Sequence, residues 1–152
     1  MLNTSQWIEN LIQYDGKGRP IYTASKNEYL GITDINKTTY DFIGNILRNE
    51  STHQKGSNVP ITTIDVFTYD HQNRLLTQAQ TIDNNPTEII VKNSYDALGQ
   101  LAQKTQGNGL QDVDYQYNIR GWLKQINDVK GNLNTTDKLS VKSLACGIVH
   151  GR

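Results

Sequence analysis

The sequence predicts an all-β chain of tandem antiparallel hairpins forming a curved, twisted sheet, open at its ends, followed by an irregular C-terminal tail. Three observations predict it. A tyrosine opens the same short phrase five times. Each phrase carries the residue types of a tight hairpin turn. The composition is poor in apolar residues and rich in Asn, Gln, Thr and Ser, as strands with a wet face require. Hydrophobic residues make up 36% of the 152 residues, with eight Tyr against two Phe and two Trp. Exchanging Gly for Tyr in that count still leaves it below the usual ~45–50%. Tyrosine suits a half-wet sheet because it packs its ring and keeps its hydroxyl hydrated.

The phrases read Tyr14-Asp15-Gly16-Lys17-Gly18-Arg19, Tyr40-Asp41-Phe42-Ile43-Gly44-Asn45, Tyr69-Asp70-His71-Gln72-Asn73-Arg74, Tyr95-Asp96-Ala97-Leu98-Gly99-Gln100 and Tyr117-Asn118-Ile119-Arg120-Gly121-Trp122. Their recurrence marks a repeat array. Asp15, Asp41, Asp70, Asp96 and Asn118 stand where a side-chain oxygen accepts a hydrogen bond from the backbone two residues on. The two middle positions are loosely specified, as in a type I turn. Gly18, Gly44, Asn73, Gly99 and Gly121 stand where such a turn needs a left-handed residue and a bulge. Asparagine is the best substitute for glycine there, so Asn73 is the departure that this mechanism allows. The geometry then places each tyrosine opposite Pro20, Ile46, Leu75, Leu101 or Leu123. A Tyr facing an aliphatic side chain contributes about 0.2–1 kcal/mol over Ala–Ala.

Taken in order, residues 1–9 are an N-terminal extension, 10–127 hold the five repeats, and 128–152 lie outside the pattern. Residues 5–11 form a short turn at most. The first hairpin is an edge or is bulged at Pro20, which cannot donate to a ladder. In the third, Phe67 and Tyr69 share a face, and Leu75, Thr77 and Ala79 alternate on the way out. In the fourth, Ile89, Val91 and Tyr95 oppose Glu88, Lys92 and Ser94. In the fifth, Val113, Tyr115 and Tyr117 oppose Asp112, Asp114 and Gln116. The tyrosine side is the expected buried face. Polar connections are expected at 26–34, 53–58, 83–86 and 106–111. The tail is expected to pack poorly.

Composition excludes several functions. Fifteen basic and fifteen acidic side chains cancel, which removes support for steering toward nucleic acid. Cys146 is the single cysteine, so no internal disulfide forms. No apolar run reaches the length of a membrane span. Residues 1–13 lack the basic start and apolar core of a signal peptide. The repeated aspartates are read as turn acceptors rather than metal ligands, because each stands on its own turn with no carboxylate beside it. His53, His71 and His150 are scattered, with no metal-ligand spacing. Cys146 has no histidine placed to activate it. Gly16-Lys17-Gly18-Arg19 lacks the spacing of a phosphate loop. The Asn-x-Ser/Thr matches at Asn3, Asn36, Asn49 and Asn134 matter only in a glycosylating pathway. No catalytic, metal or cofactor constellation emerges, and no cofactor is expected. Trp122 is the aromatic placed for ligand or partner contact, on the face opposite Tyr117 and Leu123. Sugar stacking on the tyrosines is the rival to their reading as cross-strand packing residues.

These phrases resemble the YD repeat of the Rhs family, which includes bacterial Rhs polymorphic toxins, shell-forming subunits of insecticidal toxin complexes, and the animal teneurins. The wording resembles Rhs proteins of Bacteroidetes most. The stretches that carry it are Tyr14-Asp15-Gly16-Lys17-Gly18-Arg19-Pro20-Ile21, Thr63-Ile64-Asp65-Val66-Phe67-Thr68-Tyr69-Asp70 and Val113-Asp114-Tyr115-Gln116-Tyr117-Asn118-Ile119-Arg120-Gly121-Trp122-Leu123-Lys124. The resemblance covers about residues 10–127 and implies a non-catalytic part of a hollow shell that commonly encloses a C-terminal toxin. It implies secretion or a cell-surface place. The Asp-Pro-x-x-Gly motif, where many members cut themselves, is absent. Five repeats are fewer than a shell needs, so the chain is expected to be a fragment, truncated copy or decayed frame. Its expected partners are further YD repeats of a longer polypeptide or other copies joined through sheet edges, with carbohydrate as the alternative.

Overall fold

The computed structural model describes residues 7–127. The tail, with Cys146, His150 and Asn134, lies outside the described residues, as does Asn3. Among the described residues there are ten strands and no helix. The chain divides into two compact units, Met1–Glu88 and Ile89–Arg152.

The first unit holds β1 (Ile8–Tyr14), β2 (Pro20–Asn27), β3 (Ile32–Tyr40), β4 (Ile46–Lys55), β5 (Ile61–Tyr69) and β6 (Leu75–Ile82). Each pairs antiparallel with the next in chain order. The second unit holds β7 (Glu88–Tyr95), β8 (Leu101–Gln106), β9 (Gln111–Tyr117) and β10 (Leu123–Ile126), again a meander. Every tyrosine phrase joins an incoming to an outgoing strand: β1–β2, β3–β4, β5–β6, β7–β8 and β9–β10.

The pairing at each turn follows the turn chemistry. Tyr14 faces Pro20, Tyr40 faces Ile46, Tyr69 faces Leu75, Tyr95 faces Leu101 and Tyr117 faces Leu123. Pro20 therefore keeps the common register. As the first residue of β2 it sits where a missing N–H is tolerated, and β1 is an edge strand among the described residues.

Immediately beyond that pair the register shifts in all five hairpins. Ile21, Leu47, Leu76, Ala102 and Lys124 are the unpaired extra residues. Besides the turn bulge expected at each left-handed residue, irregularity beyond the turn was expected only in the first hairpin, at Pro20; this shift is common to all five. The extra residue reverses the alternation of the outgoing strand. Leu75 shares the face of Tyr69, whereas Thr77 and Ala79 pair with Thr68 and Val66 on the other face. The expected common face for Leu75, Thr77 and Ala79 is thus corrected.

The strands also run further than polarity suggested. β1 starts at Ile8, within the segment expected to hold a short turn. Lys26 and Asn27 pair with Thr33 and Ile32, reducing the connection to residues 28–31. His53, Gln54 and Lys55 remain in β4, paired with β3. Polar side chains are compatible with strand here because the sheet buries neither face.

No described residue is fully buried. Tyr40, Tyr69, Tyr95 and Tyr117 are half-buried, while Thr39, Thr68, Ser94 and Gln116 beside them are exposed. The tyrosine side is therefore the better covered one near the turns, yet neither unit holds a buried core among the described residues. Away from the turn the same face turns polar: Gln78 and Gln80 both donate to Asp65 Oδ1, at 3.2 and 3.0 Å.

Candidate functional site

The tyrosine–turn edge is where sequence regularity and geometry coincide. In the first turn Asp15 N–H donates to the Arg19 carbonyl at 2.9 Å, and Gly18 N–H to the Asp15 carbonyl at 3.0 Å. The Asp15 carboxylate closes the loop from inside. Its Oδ1 accepts the backbone N–H of Lys17 at 2.8 Å and of Arg19 at 2.9 Å, and its Oδ2 accepts Arg19 Nε at 2.7 Å. Asp70 repeats the pattern with Gln72, Arg74 and the Arg74 guanidinium. Asp96 accepts from Leu98 and Gln100, and Asn118 accepts from Arg120 and Trp122 through its one oxygen. The left-handed residues are Gly18 (φ 76°), Asn73 (φ 62°), Gly99 (φ 84°) and Gly121 (φ 79°).

The second turn is built differently. Gly44 has φ 122°, and its N–H donates to Asp41 Oδ1 at 2.6 Å, with Asn45 N–H on the same oxygen at 2.8 Å. The turn places Ile43 where the others have Lys17, Gln72, Leu98 or Arg120. A β-branched side chain is the stiff choice at that position, and the Asp41 carboxylate takes the bond that a backbone carbonyl takes elsewhere.

These contacts set the carboxylate electrostatics. The Arg19 backbone N–H is the main influence holding Asp15 below its ordinary value, with the Arg19 guanidinium and Lys17 N–H adding to it. At Asp41 and Asp70 desolvation opposes the charged form most strongly. Hydrogen bonds from Gly44 and Asn45, and from Arg74 and Gln72, together outweigh it and leave both lowered. Desolvation, helped by the Asp41 charge, raises the Tyr69 phenol.

The sequence did not reveal what the residue after the left-handed position does. Arg19, Asn45 and Arg74 each return a side-chain N–H to their own turn carboxylate. Trp122 stands at this position in the fifth turn. It is 65% exposed, with the Arg120 guanidinium 5.8 Å from its ring centroid. Nor did the sequence show how turns are joined to one another. Tyr40 hydroxyl donates to the Pro20 carbonyl at 3.1 Å, and Tyr69 hydroxyl to the Ile46 carbonyl at 2.9 Å. Each tyrosine thus reaches the residue that faces the preceding tyrosine. Lys17 Nζ donates to the Phe42 carbonyl at 2.6 Å and lies 3.9 Å from the Phe42 ring centroid. Arg19 Nη1 donates to the Asp41 carbonyl, with its guanidinium over the Tyr40 ring. The signal was the tyrosine period itself, but the acceptors are backbone atoms and carry no residue signature.

Among the described residues no group of three or more His, Cys, Asp or Glu is placed to hold a metal. His53 pairs with Asp34 on neighbouring strands. His71 lies in the third turn, as the sequence suggested. No helix of the described residues is long and apolar enough to cross a membrane.

Residues 95–133 match the family model described as RHS Repeat. That stretch opens on the fourth tyrosine phrase and contains all of the fifth. No curated protein matches the chain.

Proposed function

We propose, from the premise that this chain carries a partial repeat region of the RHS/YD-repeat family, that it is a non-catalytic structural module of a shell-forming array. In this reading its hairpins build wall, and the family's C-terminal toxin is what such a wall encloses. The carrying observation is the joining of successive turns through Tyr40 and Tyr69. Each hairpin supplies an acceptor for the next tyrosine, so the unit is made to be continued. The lack of a buried residue among the described residues agrees, since a repeat of this kind is stabilised by its neighbours. A secreted or cell-surface place follows from the same family reading.

The test is to fuse one or two further tyrosine-phrase hairpins ahead of residue 1 and follow thermal unfolding. Each added hairpin is expected to raise the midpoint, because it covers the exposed β1 edge. An unchanged midpoint with folded added hairpins overturns the reading. A second reading, a carbohydrate- or receptor-binding surface, is favoured by the exposure of Trp122 beside Arg120. Glycan-array binding lost in Trp122→Ala but kept in folded Tyr95→Phe supports it; no binding to any glycan removes the carbohydrate form.

A further inference from the structure

We infer that the β1 edge is a docking site for a second copy of this chain, which presents its β10 edge head to tail and in one register. The inference rests on the structural-module reading and names the partner of its open edge.

Inside each unit, outgoing and next incoming strands meet in a constant register. Tyr22 faces Lys37, Arg48 faces Val66, and Gln103 faces Asp114. In all three, the residue eight past one tyrosine faces the residue three before the next. Applied between copies, the rule places Gln125 of one copy opposite Leu11 of another, and Ile126 opposite Asn10.

The donors and acceptors at the two edges are complementary. Tyr14 opens the first phrase, and no hairpin precedes it among the described residues; it is 59% exposed, and its hydroxyl has no partner among them. Leu123 faces Tyr117 as Pro20 faces Tyr14 and Ile46 faces Tyr40. Its carbonyl is the equivalent of the two that accept Tyr40 and Tyr69. Arg120 stands where Lys17 stands, and Lys17 bonds the carbonyl of Phe42 in the following turn. The equivalent acceptor in another copy is Gly16. The β1 edge is also apolar: Trp7, Ile8, Leu11 and Ile12 are 67, 65, 53 and 49% exposed. An exposed edge of this kind is a template for strand pairing. Because the two surfaces differ, the association does not close on itself as a two-fold dimer does.

Cysteine cross-linking of the full chain tests the register, with Cys146→Ser as background. Paired Cα atoms lie within disulfide reach. The double variants Leu11→Cys/Gln125→Cys and Asn10→Cys/Ile126→Cys are expected to oxidise into a ladder of multimers. The out-of-register pair Ile12→Cys/Ile126→Cys is expected to stay largely uncross-linked. In sedimentation of the native chain, mean mass is expected to rise with concentration beyond a dimer. Tyr14→Phe, which removes one hydroxyl, is expected to weaken association about fivefold to tenfold. Three results overturn the inference: constant monomer mass, dimers from Leu11→Cys alone, or multimers that cross-link equally in every register. Fused hairpins that raise the unfolding midpoint while the native chain stays monomeric remove the second copy and leave the structural-module reading standing.

Discussion

At the scale of single residues the turn acid carries the most. A side-chain oxygen at Asp15, Asp41, Asp70, Asp96 or Asn118 gathers backbone N–H groups that the tight loop leaves without a strand partner. Because the folded values of Asp15, Asp41 and Asp70 lie below the ordinary one, their contribution is complete above the unfolded carboxylate value, about 3.9. It is lost as pH falls through the lowered folded values. Urea unfolding is therefore expected to show a midpoint that is flat from neutral pH to about 5 and falls at lower pH. Asp70→Asn should blunt that fall, since its oxygen still accepts as Asn118 does; a pH series of both proteins checks it. The tyrosine hydroxyl is a second residue-scale contributor. Tyr69→Phe keeps the ring against Leu75 and loses one bond to the Ile46 carbonyl, for an expected cost of about 0.5–1 kcal/mol, measurable by chemical denaturation.

At the scale of the hairpin, the left-handed residue and the bulge act together. Gly99 at φ 84° tolerates Asn, as the third turn demonstrates with Asn73. Gly99→Asn should cost a few tenths of a kcal/mol, against about 1–2 kcal/mol for Gly99→Ala, where the Cβ meets the left-handed penalty. Unfolding midpoints of the two variants check the order. The bulge is the less visible half of the device. Deleting Leu76 would move Thr77, Gln78 and Gln80 to the opposite faces, separating Thr77 from Thr68 and both glutamines from Asp65. Loss of hydrogen-exchange protection in β5 and β6 is the expected outcome, with protection in β7 and β8 retained. Turn chemistry made the Tyr-to-aliphatic register legible in advance, because Asp, Gly and Asn act on their own backbone. The further bulge beyond the tyrosine pair was not legible: Ile21, Leu47, Leu76, Ala102 and Lys124 share no chemistry, so nothing in their identity announces that they are left unpaired.

For the whole molecule, the consequence is stability without a core. Neither unit encloses a buried side chain among the described residues, so ladder bonds, half-covered tyrosines and turn networks hold the strands. Protection against exchange is expected to be graded, lowest in the exposed edge strand β1 and higher in β3 to β5, which have strands on both sides. Uniform protection from β1 through β5 would contradict this. The same openness accounts for the polar strands that sequence reading assigned to loops. Lys26, Asn27, His53 and Gln54 could enter strands because no apolar interior excluded them.

The sequence by itself determined the all-β class, the five turns and the partner of each of the five turn tyrosines, since each rests on residues acting within a few positions of themselves. Only the tertiary structure decided which face the outgoing strands present, where the tyrosine hydroxyls bond, and that no core closes over either face among the described residues. Those outcomes depend on backbone atoms of a neighbouring hairpin and on an unpaired residue whose identity is free, and a linear pattern of side chains records neither.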